Sequence, residues 1–435
     1  MKGRIVGWAG EPRPGRQEIA WVLAAMALAV IARVAYVVAT RGHVLAGDEI
    51  GYHQTAVLAT QGKWFWTECC FGVPHESLQK APGYPAWLSF WYVVLGPRPD
   101  VVMGIQALLA PVTIGLTWLL GRRLFSPGVG VAAAFVAAIA PNVWQYDVRL
   151  YSEVLAVPLT LLVALLVLDR GVDHRRVVAV GALLGVALLV RPSSVFLFAG
   201  VLVAWWVVAG ARRGIAYTAA AAAVAALVVA PWTVRNLIVE PDRFTPISIQ
   251  SSAAFGTFNE EAASDPVWPY KWRPDTPVTR ELLAGPPLDD AALADALDAA
   301  TRAYIADHPL SVPEAFFWNG VSRLWDLRRP GRVLDTAAYE GRGRAIATAA
   351  LIGYWVMVPF ALAALWQARR RTALVAPLLA VALAASIVYT ADGGTRYRAV
   401  LEPVIVVLAC ASAASAAARL RARHMGWPTA ASASS

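Results

Sequence analysis

Two adjacent carboxylates, Asp48 and Glu49, follow the first long apolar stretch of the sequence, and Tyr52 lies one turn further along. Adjacent residues of a helix point about 100° apart, so we expect only one of the two carboxylates to enter a given cavity. A carboxylate just above an apolar zone could act as a general base. The alternative is a solvated acid pair that caps the next helix.

A second motif contains Lys80 and Tyr84, within the run Lys80-Ala81-Pro82-Gly83-Tyr84-Pro85. The two prolines restrict the backbone on both sides of the tyrosine. A lysine fixed in front of such a turn could contact a phosphate. The alternative is a helix start that is preceded by a solvated lysine.

A third motif lies between two apolar runs and contains Asp147, Arg149, Tyr151 and Glu153. Ionisable groups at the boundary of a membrane are costly, and they usually face a cavity or a partner. This favours a role in a site. The alternative is that Arg149 and Glu153 form a pair four residues apart, which stabilises the end of a helix.

Four arginines lie at or just beyond the ends of apolar runs: Arg191, Arg235, Arg396 and Arg398. Any one of them is explained by a long side chain that extends out of the membrane. A functional role gains support because all four accompany carboxylates on the same face.

Metal ligands of suitable type occur close together in one segment, but their spacing matches no zinc pattern. The sequence also contains no glycine-rich phosphate loop with a lysine and no dinucleotide fingerprint. We therefore assign no metal ligands and no cofactor, and a divalent metal stays an open alternative. The residues in question are His53, Glu68, Cys69, Cys70, His75 and Glu76.

The elements that must position these motifs are membrane helices. The chain has 435 residues, of which 58% are hydrophobic and only 15% are charged, whereas soluble domains carry about 25% charged residues. About 20 apolar residues in a helix cross the hydrocarbon core. The sequence predicts an all-α polytopic membrane protein with about ten spans and no cleavable signal peptide. The ten runs are Ile19–Ala39, Val101–Leu120, Val129–Trp144, Leu150–Leu168, Val177–Val190, Val195–Ala211, Ile215–Trp232, Ala345–Trp366, Thr372–Tyr389 and Ala399–Ala418.

The charges of the short loops predict the orientation. Basic short loops face the cytoplasm, which puts both termini inside and the three motifs outside. The net charge of +9 then arises from these loops, and nucleic acid is not an expected partner. The break at Arg191-Pro192 is predicted to be an outer turn between two short spans, with one kinked helix or a re-entrant hairpin as alternatives. The basic positions are Lys2, Arg4, Arg13 and Arg16; Arg122 and Arg123; Arg170, Arg175 and Arg176; Arg212 and Arg213; Arg369 to Arg371; and Arg419, Arg421 and Arg423.

The predicted organisation has five parts: a cytoplasmic tail at 1–17, a catalytic membrane module at 18–232 with a first outer loop at 40–100, an outer insert at 233–344, membrane helices at 345–418, and a second tail at 419–435. Helical spacing predicts a helix over Asp289–His308 in the insert. Leu310–Leu327 is predicted to be an amphipathic helix at the membrane interface.

In their order and spacing, these motifs resemble the GT-C superfamily of membrane glycosyltransferases. The resemblance is to the family 39-like type, the bacterial protein O-mannosyltransferases and aminoarabinose transferases, and it covers about residues 18–420. Where that family often has two consecutive prolines after the lysine, this sequence has Ala81 in place of the first. The resemblance rests on the following residues: Asp48-Glu49 with Tyr52; the run Lys80 to Pro85; Leu120 to Phe125; Tyr151 to Glu153; Arg191-Pro192; Ala230 to Asn236; Tyr304-Ile305 with His308-Pro309; and Arg396 to Arg398.

The resemblance implies a GT-C-like bundle that moves a sugar, with inversion, from a polyprenyl-phosphate carrier to a hydroxyl of a protein, a lipid or an envelope glycan. Asp48 is the implied base, Glu49 is a second candidate, and Glu153 or Asp147 is the implied second acid. A transporter of polyprenyl-linked glycans and an assembly protein are the alternatives. The expected substrate-binding residues are Tyr52, Lys80, Tyr84, Asp147, Arg149, Tyr151, Arg191, Arg235, Arg396 and Arg398.

A topology reporter checks the predicted orientation. A reporter fused after Gly256 should be active outside the cytoplasm of the plasma membrane, because the insert follows a basic loop by one span. Cytoplasmic activity at this position would contradict the orientation.

Overall fold

The computed structural model describes residues 13–68, 74–168, 171–286 and 288–424. Helices dominate this part of the chain, and its only strands are Trp66–Thr67 (β1) and His75–Glu76 (β2), which pair antiparallel. The predicted all-α polytopic membrane fold is confirmed. The first α-helices in chain order are α1 (Arg16–Ala39), α2 (Asp48–Thr60), α3 (Gly83–Leu95), α4 (Pro99–Ala107), α5 (Ala110–Leu124), α6 (Pro127–Ile139), α7 (Pro141–Trp144), α8 (Glu153–Val167), α9 (His174–Val190), α10 (Leu197–Ala209) and α11 (Ala211–Val239).

The second half of the chain begins with the insert and ends with three long helices. Two 3-10 turns, Pro192–Phe196 and Thr395–Leu401, and one π-helical segment, Phe316–Arg323, complete the fold. The remaining α-helices are α12 (Ser251–Thr257), α13 (Glu260–Ala263), α14 (Pro277–Ala284), α15 (Asp290–Asp307), α16 (Ser311–Ala315), α17 (Pro330–Tyr339), α18 (Arg344–Gln367), α19 (Thr372–Val388) and α20 (Glu402–His424).

All ten predicted apolar runs lie largely within helices. Among the described residues, six helical segments are long and apolar enough to cross a membrane, and α6, α8 and α19 are shorter apolar helices. Most of α8 is buried, whereas α19 exposes Leu379, Leu383 and Ile387. The six long segments are Arg16–Ala39, Pro99–Leu124, Pro192–Ala209, Ala211–Val239, Arg344–Gln367 and Thr395–Arg421.

Small residues let the helices approach closely, as is usual where the lipid supplies no hydrophobic drive for association. A Cβ added to Gly130 of α6 would lie 2.6 Å from the carbonyl oxygen of Trp118 in α5. A Cβ added to Gly181 of α9 would lie 2.5 Å from the carbonyl oxygen of Ala221 in α11. These two contacts fix the spacing of helices that support the site.

The basic loops meet at one end of the bundle. Arg371, between α18 and α19, donates to the carbonyl oxygen of Leu124 at the end of α5 (3.1 Å). Arg122 forms an ion pair with Glu18 at the start of α1 (2.9 Å). The three polar motifs lie at the other ends of these helices, so the fold separates a basic end from the end that carries the candidate site.

The chain breaks at Arg191, between α9 and α10. Arg191 has an extended backbone (φ −155°, ψ 109°), and the 3-10 turn Pro192–Phe196 follows it. Extended backbone is expected before proline, whose ring disfavours helical geometry at the preceding residue. Residues 177–211 are therefore two helices and not one continuous helix.

The insert holds the loop in front of Lys80. Asp290, the first residue of α15, accepts hydrogen bonds from the Leu78 backbone N–H (2.9 Å) and from the Gln79 side chain (2.7 Å), and it lies 3.2 Å from His75 Nε2. The hairpin β1–β2 and Lys80 are thus tied to a helix far away in sequence. The predicted helix over Asp289–His308 corresponds to α15, with Asp289 as its N-cap.

A buried ion pair joins α1 to the segment between α7 and α8. Arg33, which the sequence shows only as an interruption of the first apolar run, is fully buried. Its Nε lies 3.1 Å from Asp147 Oδ2, and its Nη1 donates to the carbonyl oxygen of Ala29 (3.2 Å). Asp147 therefore serves as the counter-ion of Arg33.

Removal of Asp147 tests this pair. In Asp147→Ala, Arg33 keeps a buried charge without a partner, and we expect the free energy of unfolding in detergent to fall by about 3–5 kcal/mol. The double variant Arg33→Met, Asp147→Ala should recover most of the loss. A single variant as stable as the wild type would show that the pair does not support the fold.

Candidate active site

Glu153 is the centre of a cluster of charges at the non-basic end of the bundle. It begins α8 and is only 1% exposed. Its Oε1 accepts a hydrogen bond from Arg191 Nη1 and lies 3.2 Å from Arg396 Nε, while its Oε2 has no hydrogen-bond partner. Two arginines from distant segments therefore converge on one buried carboxylate.

Arg396 also reaches Asp48, at the start of α2, with Nη2 2.6 Å from Asp48 Oδ2. The Asp48 side chain is 52% exposed, unlike that of Glu153. The charge of Arg396 lowers the pKa of the Asp48 carboxyl, against the opposing effect of burial, and Lys80 and Arg191 add smaller effects in the same direction. We call Asp48, Glu153, Arg191 and Arg396 the Arg396 cluster.

Aromatic rings hold the two guanidinium groups in place. The Cζ atoms of Arg191 and Arg396 lie 4.9 and 5.0 Å from the ring centroid of Tyr397, and Arg396 also lies 4.6 Å from that of Tyr151. The ring of Tyr397 stacks in parallel on that of Tyr389. Cations are attracted to the faces of aromatic rings. The sequence did not identify Tyr389 and Tyr397 as residues of the site.

Lys80 is a third cation near Asp48. Its Nζ is 5.1 Å from the ring centroid of Tyr52, which packs edge-to-face on Tyr84. Burial raises the pKa of Tyr52 to about 12, so the phenol stays protonated at neutral pH. The ammonium lies so close to Gly51 that a Cβ there would be 2.1 Å from Nζ. The absence of a side chain at Gly51 therefore leaves room for the Lys80 ammonium.

Glu49 points away from the cluster. It is fully buried, and its carboxylate accepts hydrogen bonds from the backbone N–H groups of Ala46 (3.1 Å) and Leu150 (3.2 Å) and lies 2.7 Å from His43 Nε2. This is the expected divergence of adjacent helical residues. Of the two candidate carboxylates, only Asp48 contacts Arg396, and only Asp48 is partly exposed.

Three other predicted site residues are buried next to the cluster but bind protein groups. The Tyr84 hydroxyl donates to Gln106 (2.9 Å), and Asp147 pairs with Arg33. Arg149 lies against Tyr36, and its Nε and Nη1 have no hydrogen-bond partner. Glu153 pairs with Arg191 and Arg396, so the local pair of Arg149 with Glu153 is not formed.

Two predicted arginines lie apart from the cluster. Arg235 donates to the carbonyl oxygen of Ser77 (2.8 Å) and so supports the hairpin in front of Lys80. Arg398 is buried and pairs with Asp326 (3.0 Å) and Glu402 (2.7 Å). Glu402 lies four residues after Arg398, a spacing that favours an ion pair within a helix. Asp326 is 72 residues away in sequence, so spacing gave no signal for it.

No group of three or more metal-ligating side chains occurs within the residues that the structure describes. His53 contacts the hydroxyl of Tyr92 (2.8 Å), and His75 contacts Asp290. Cys69 and Cys70, which the sequence analysis weighed as metal ligands, lie outside the described residues.

Part of the sequence, and the fold, are similar to those of known proteins. Residues 79–234 match the family model described as dolichyl-phosphate-mannose-protein mannosyltransferase, a stretch that includes Lys80, Glu153 and Arg191. The fold matches that of the oligosaccharyltransferase AglB from Archaeoglobus fulgidus, solved with an inhibitory peptide and a dolichol-phosphate (TM-score 0.54, 14% identity, 95% of this chain and 52% of that chain). Over residues 79–234 the sequence is similar to that family, and the fold is similar to that of a membrane oligosaccharyltransferase.

Two further solved structures are similar to this chain. The apo form of the Archaeoglobus fulgidus oligosaccharyltransferase matches with a TM-score of 0.53 and 15% identity, over 96% of this chain and 52% of that chain. ArnT from Cupriavidus metallidurans, bound to undecaprenyl phosphate, has a TM-score of 0.39 and 14% identity, over 93% and 79% of the two chains. The chain thus spans about half the length of the archaeal enzyme. No curated protein matches the sequence.

The contact between Gly51 and Lys80 can be tested directly. In Gly51→Ala the added methyl displaces the Lys80 ammonium, and we expect kcat/KM for glycosyl transfer to fall about tenfold or more, as misplacement of a positioning group does, while thermal stability is retained. Gly104→Ala is a matched control, because a Cβ there meets nothing within 4 Å. Equal activity of Gly51→Ala and wild type would mean that the position of Lys80 is unimportant.

Proposed function

We propose that this protein is a GT-C glycosyltransferase that transfers a sugar, with inversion, from a polyprenyl-phosphate carrier to a hydroxyl acceptor at the outer face of the plasma membrane, with both termini in the cytoplasm. One observation carries the proposal: a half-exposed carboxylate, Asp48, faces three cations, Lys80, Arg191 and Arg396, at the end of an apolar helix bundle. That arrangement supplies a base for the acceptor and a basic site for the leaving phosphate.

The bond changes need only these groups. The acceptor oxygen attacks the anomeric carbon while the carbon–oxygen bond to the carrier phosphate breaks, and the electron pair of that bond stays on the phosphate. Asp48, whose lowered pKa keeps it ionised at neutral pH, takes the hydroxyl proton. Cations that neutralise the leaving phosphate stabilise the transition state. Inversion requires that the acceptor oxygen attacks the anomeric carbon from the face opposite the carrier phosphate.

The charges of the site balance at each stage. Lys80, Arg191 and Arg396, set against Asp48 and Glu153, leave one positive charge. A polyprenyl-phosphate sugar is a phosphodiester with one negative charge, which makes the loaded site neutral. After transfer Asp48 is protonated and the carrier phosphate is a dianion, so the site is neutral again. Neutral states avoid the cost of buried uncompensated charge.

Arg396 couples donor binding to the strength of the base. While Arg396 contacts Asp48, it lowers the pKa of that carboxyl. A bound donor phosphate competes for the same guanidinium, because Arg396 binds oxyanions through charge-assisted hydrogen bonds. Asp48 then becomes a stronger base only when the donor is in place.

An apolar cavity of about 250 Å³ lies among the membrane helices, near the elements that carry Glu153 and Arg396. Thr160 lies on its wall, two turns along α8 from Glu153, and Leu401 closes the 3-10 turn that carries Arg396. This position suits the first isoprene units of a carrier whose phosphate lies at the cluster. The dolichol-phosphate in the AglB complex supports a carrier of this class.

The variant Asp48→Asn tests the proposed base. Because general base catalysis contributes about 10²- to 10⁴-fold, we expect at least a hundredfold loss of transfer from radiolabelled polyprenyl-phosphate sugars extracted from the source cells. Stability and donor binding should be retained. Glu49→Gln is the matched control: it places an amide N–H against backbone N–H groups, and we expect it to lower stability by about 1–3 kcal/mol.

Two outcomes would count against the proposal. Normal transfer by Asp48→Asn would exclude Asp48 as the base. Movement of the labelled donor across proteoliposome membranes without any glycosylated product would instead favour a transporter of polyprenyl-linked sugars.

A further inference from the structure

A second group of cations surrounds Trp268, in the loop between α13 and α14. The Nζ of Lys271 lies 5.7 Å from the ring centroid of Trp268, and the Cζ atoms of Arg328 and Arg332 lie 5.5 and 5.7 Å from it. We call these four residues the Trp268 cluster. It joins a loop of the insert to the start of α17, and none of its members belongs to the Arg396 cluster.

Arg328 is short of partners. Its Nη1 makes one long hydrogen bond to Thr336 Oγ1 (3.4 Å), and its Nε and Nη2 have no hydrogen-bond partner. Polar groups removed from water are normally paired. A guanidinium left in this state favours an oxyanion ligand.

The acids near Arg328 are engaged elsewhere. Asp326 binds Arg398 (3.0 Å) and Thr395 (2.7 Å), and Glu340 pairs with Arg342 (2.8 Å). Neither carboxylate forms an ion pair with Arg328 or Arg332.

The segment before Arg328 lies at the membrane boundary. Trp325 Nε1 donates to Ser386 Oγ near the end of α19 (2.9 Å), and Asn319 donates to the carbonyl oxygen of Thr390 just beyond that helix (2.9 Å). On the same segment Phe317 and Leu327 are 54% and 56% exposed. Exposed apolar side chains beside arginine and tryptophan are typical of a surface that faces lipid headgroups.

We propose that the Trp268 cluster binds the phosphate of an anionic phospholipid. Arg328 and Arg332 contact the phosphate oxygens through charge-assisted hydrogen bonds, while Leu327 and Phe317 lie against the acyl chains. The apolar neighbours favour a lipid over a free phosphate, because both parts of a lipid find a matching surface. The proposed lipid site shares no residue with the Arg396 cluster, and the proposal does not depend on the proposed reaction.

Lipid binding by the purified full-length chain tests the site. Native mass spectrometry in detergent would compare phosphatidylglycerol with phosphatidylcholine and with soluble glycerol phosphate. We expect preferential binding of phosphatidylglycerol, and about fivefold weaker binding for each arginine replaced in Arg328→Gln and Arg332→Gln, as one basic residue near a headgroup contributes. Arg332 is exposed, so Arg332→Gln should fold even where Arg328→Gln does not.

Arg280→Gln is the matched control, because Arg280 is an exposed arginine of the same insert that pairs with Asp275. It should bind phosphatidylglycerol as the wild type does. The proposal fails if both phospholipids bind alike, or if Arg280→Gln weakens binding as much as Arg332→Gln. Glycerol phosphate that binds as tightly as phosphatidylglycerol would indicate a site for soluble phosphate and would also overturn the proposal.

Discussion

The site depends on one guanidinium that contacts two carboxylates. Arg396 joins the half-exposed Asp48 of α2 to the buried Glu153 of α8, and without Arg396 the charge of Glu153 would be left with Arg191 alone. The surrounding elements serve this contact. The break at Pro192 brings Arg191 to Glu153, and the rings of Tyr151 and Tyr397 fix the plane of the arginine. The bundle thus positions a few charges from four segments far apart in sequence.

Most of the fold could be predicted from the sequence because long apolar runs can form only a few structures in a membrane. The proline after Arg191 marks a real break for a local steric reason. The convergence of Asp48, Lys80, Glu153, Arg191 and Arg396 could also be anticipated, since alternating loop charges place all of them at one end. The roles of these residues in the reaction stay predictions.

The remaining details depend on partners that no local pattern reveals. Arg396 and Arg398 are two positions apart and equally basic, yet only Arg396 reaches Asp48, because Asp326 and Glu402 bind Arg398. Arg33 looks like a flaw in an apolar helix until Asp147 is found beside it. The pairs Arg33–Asp147 and Arg398–Asp326 are set by packing between distant segments, which a single sequence does not encode in its spacing.

Asp290 has a consequence for the order of events. Its carboxylate ties the loop in front of Lys80 to α15 of the insert, through the Leu78 backbone N–H and the Gln79 side chain. A shift of α15 would therefore move the loop in front of Lys80. A ligand that moves α15 when it binds would change the affinity of a second ligand at Lys80, and the second would change the affinity of the first by the same factor.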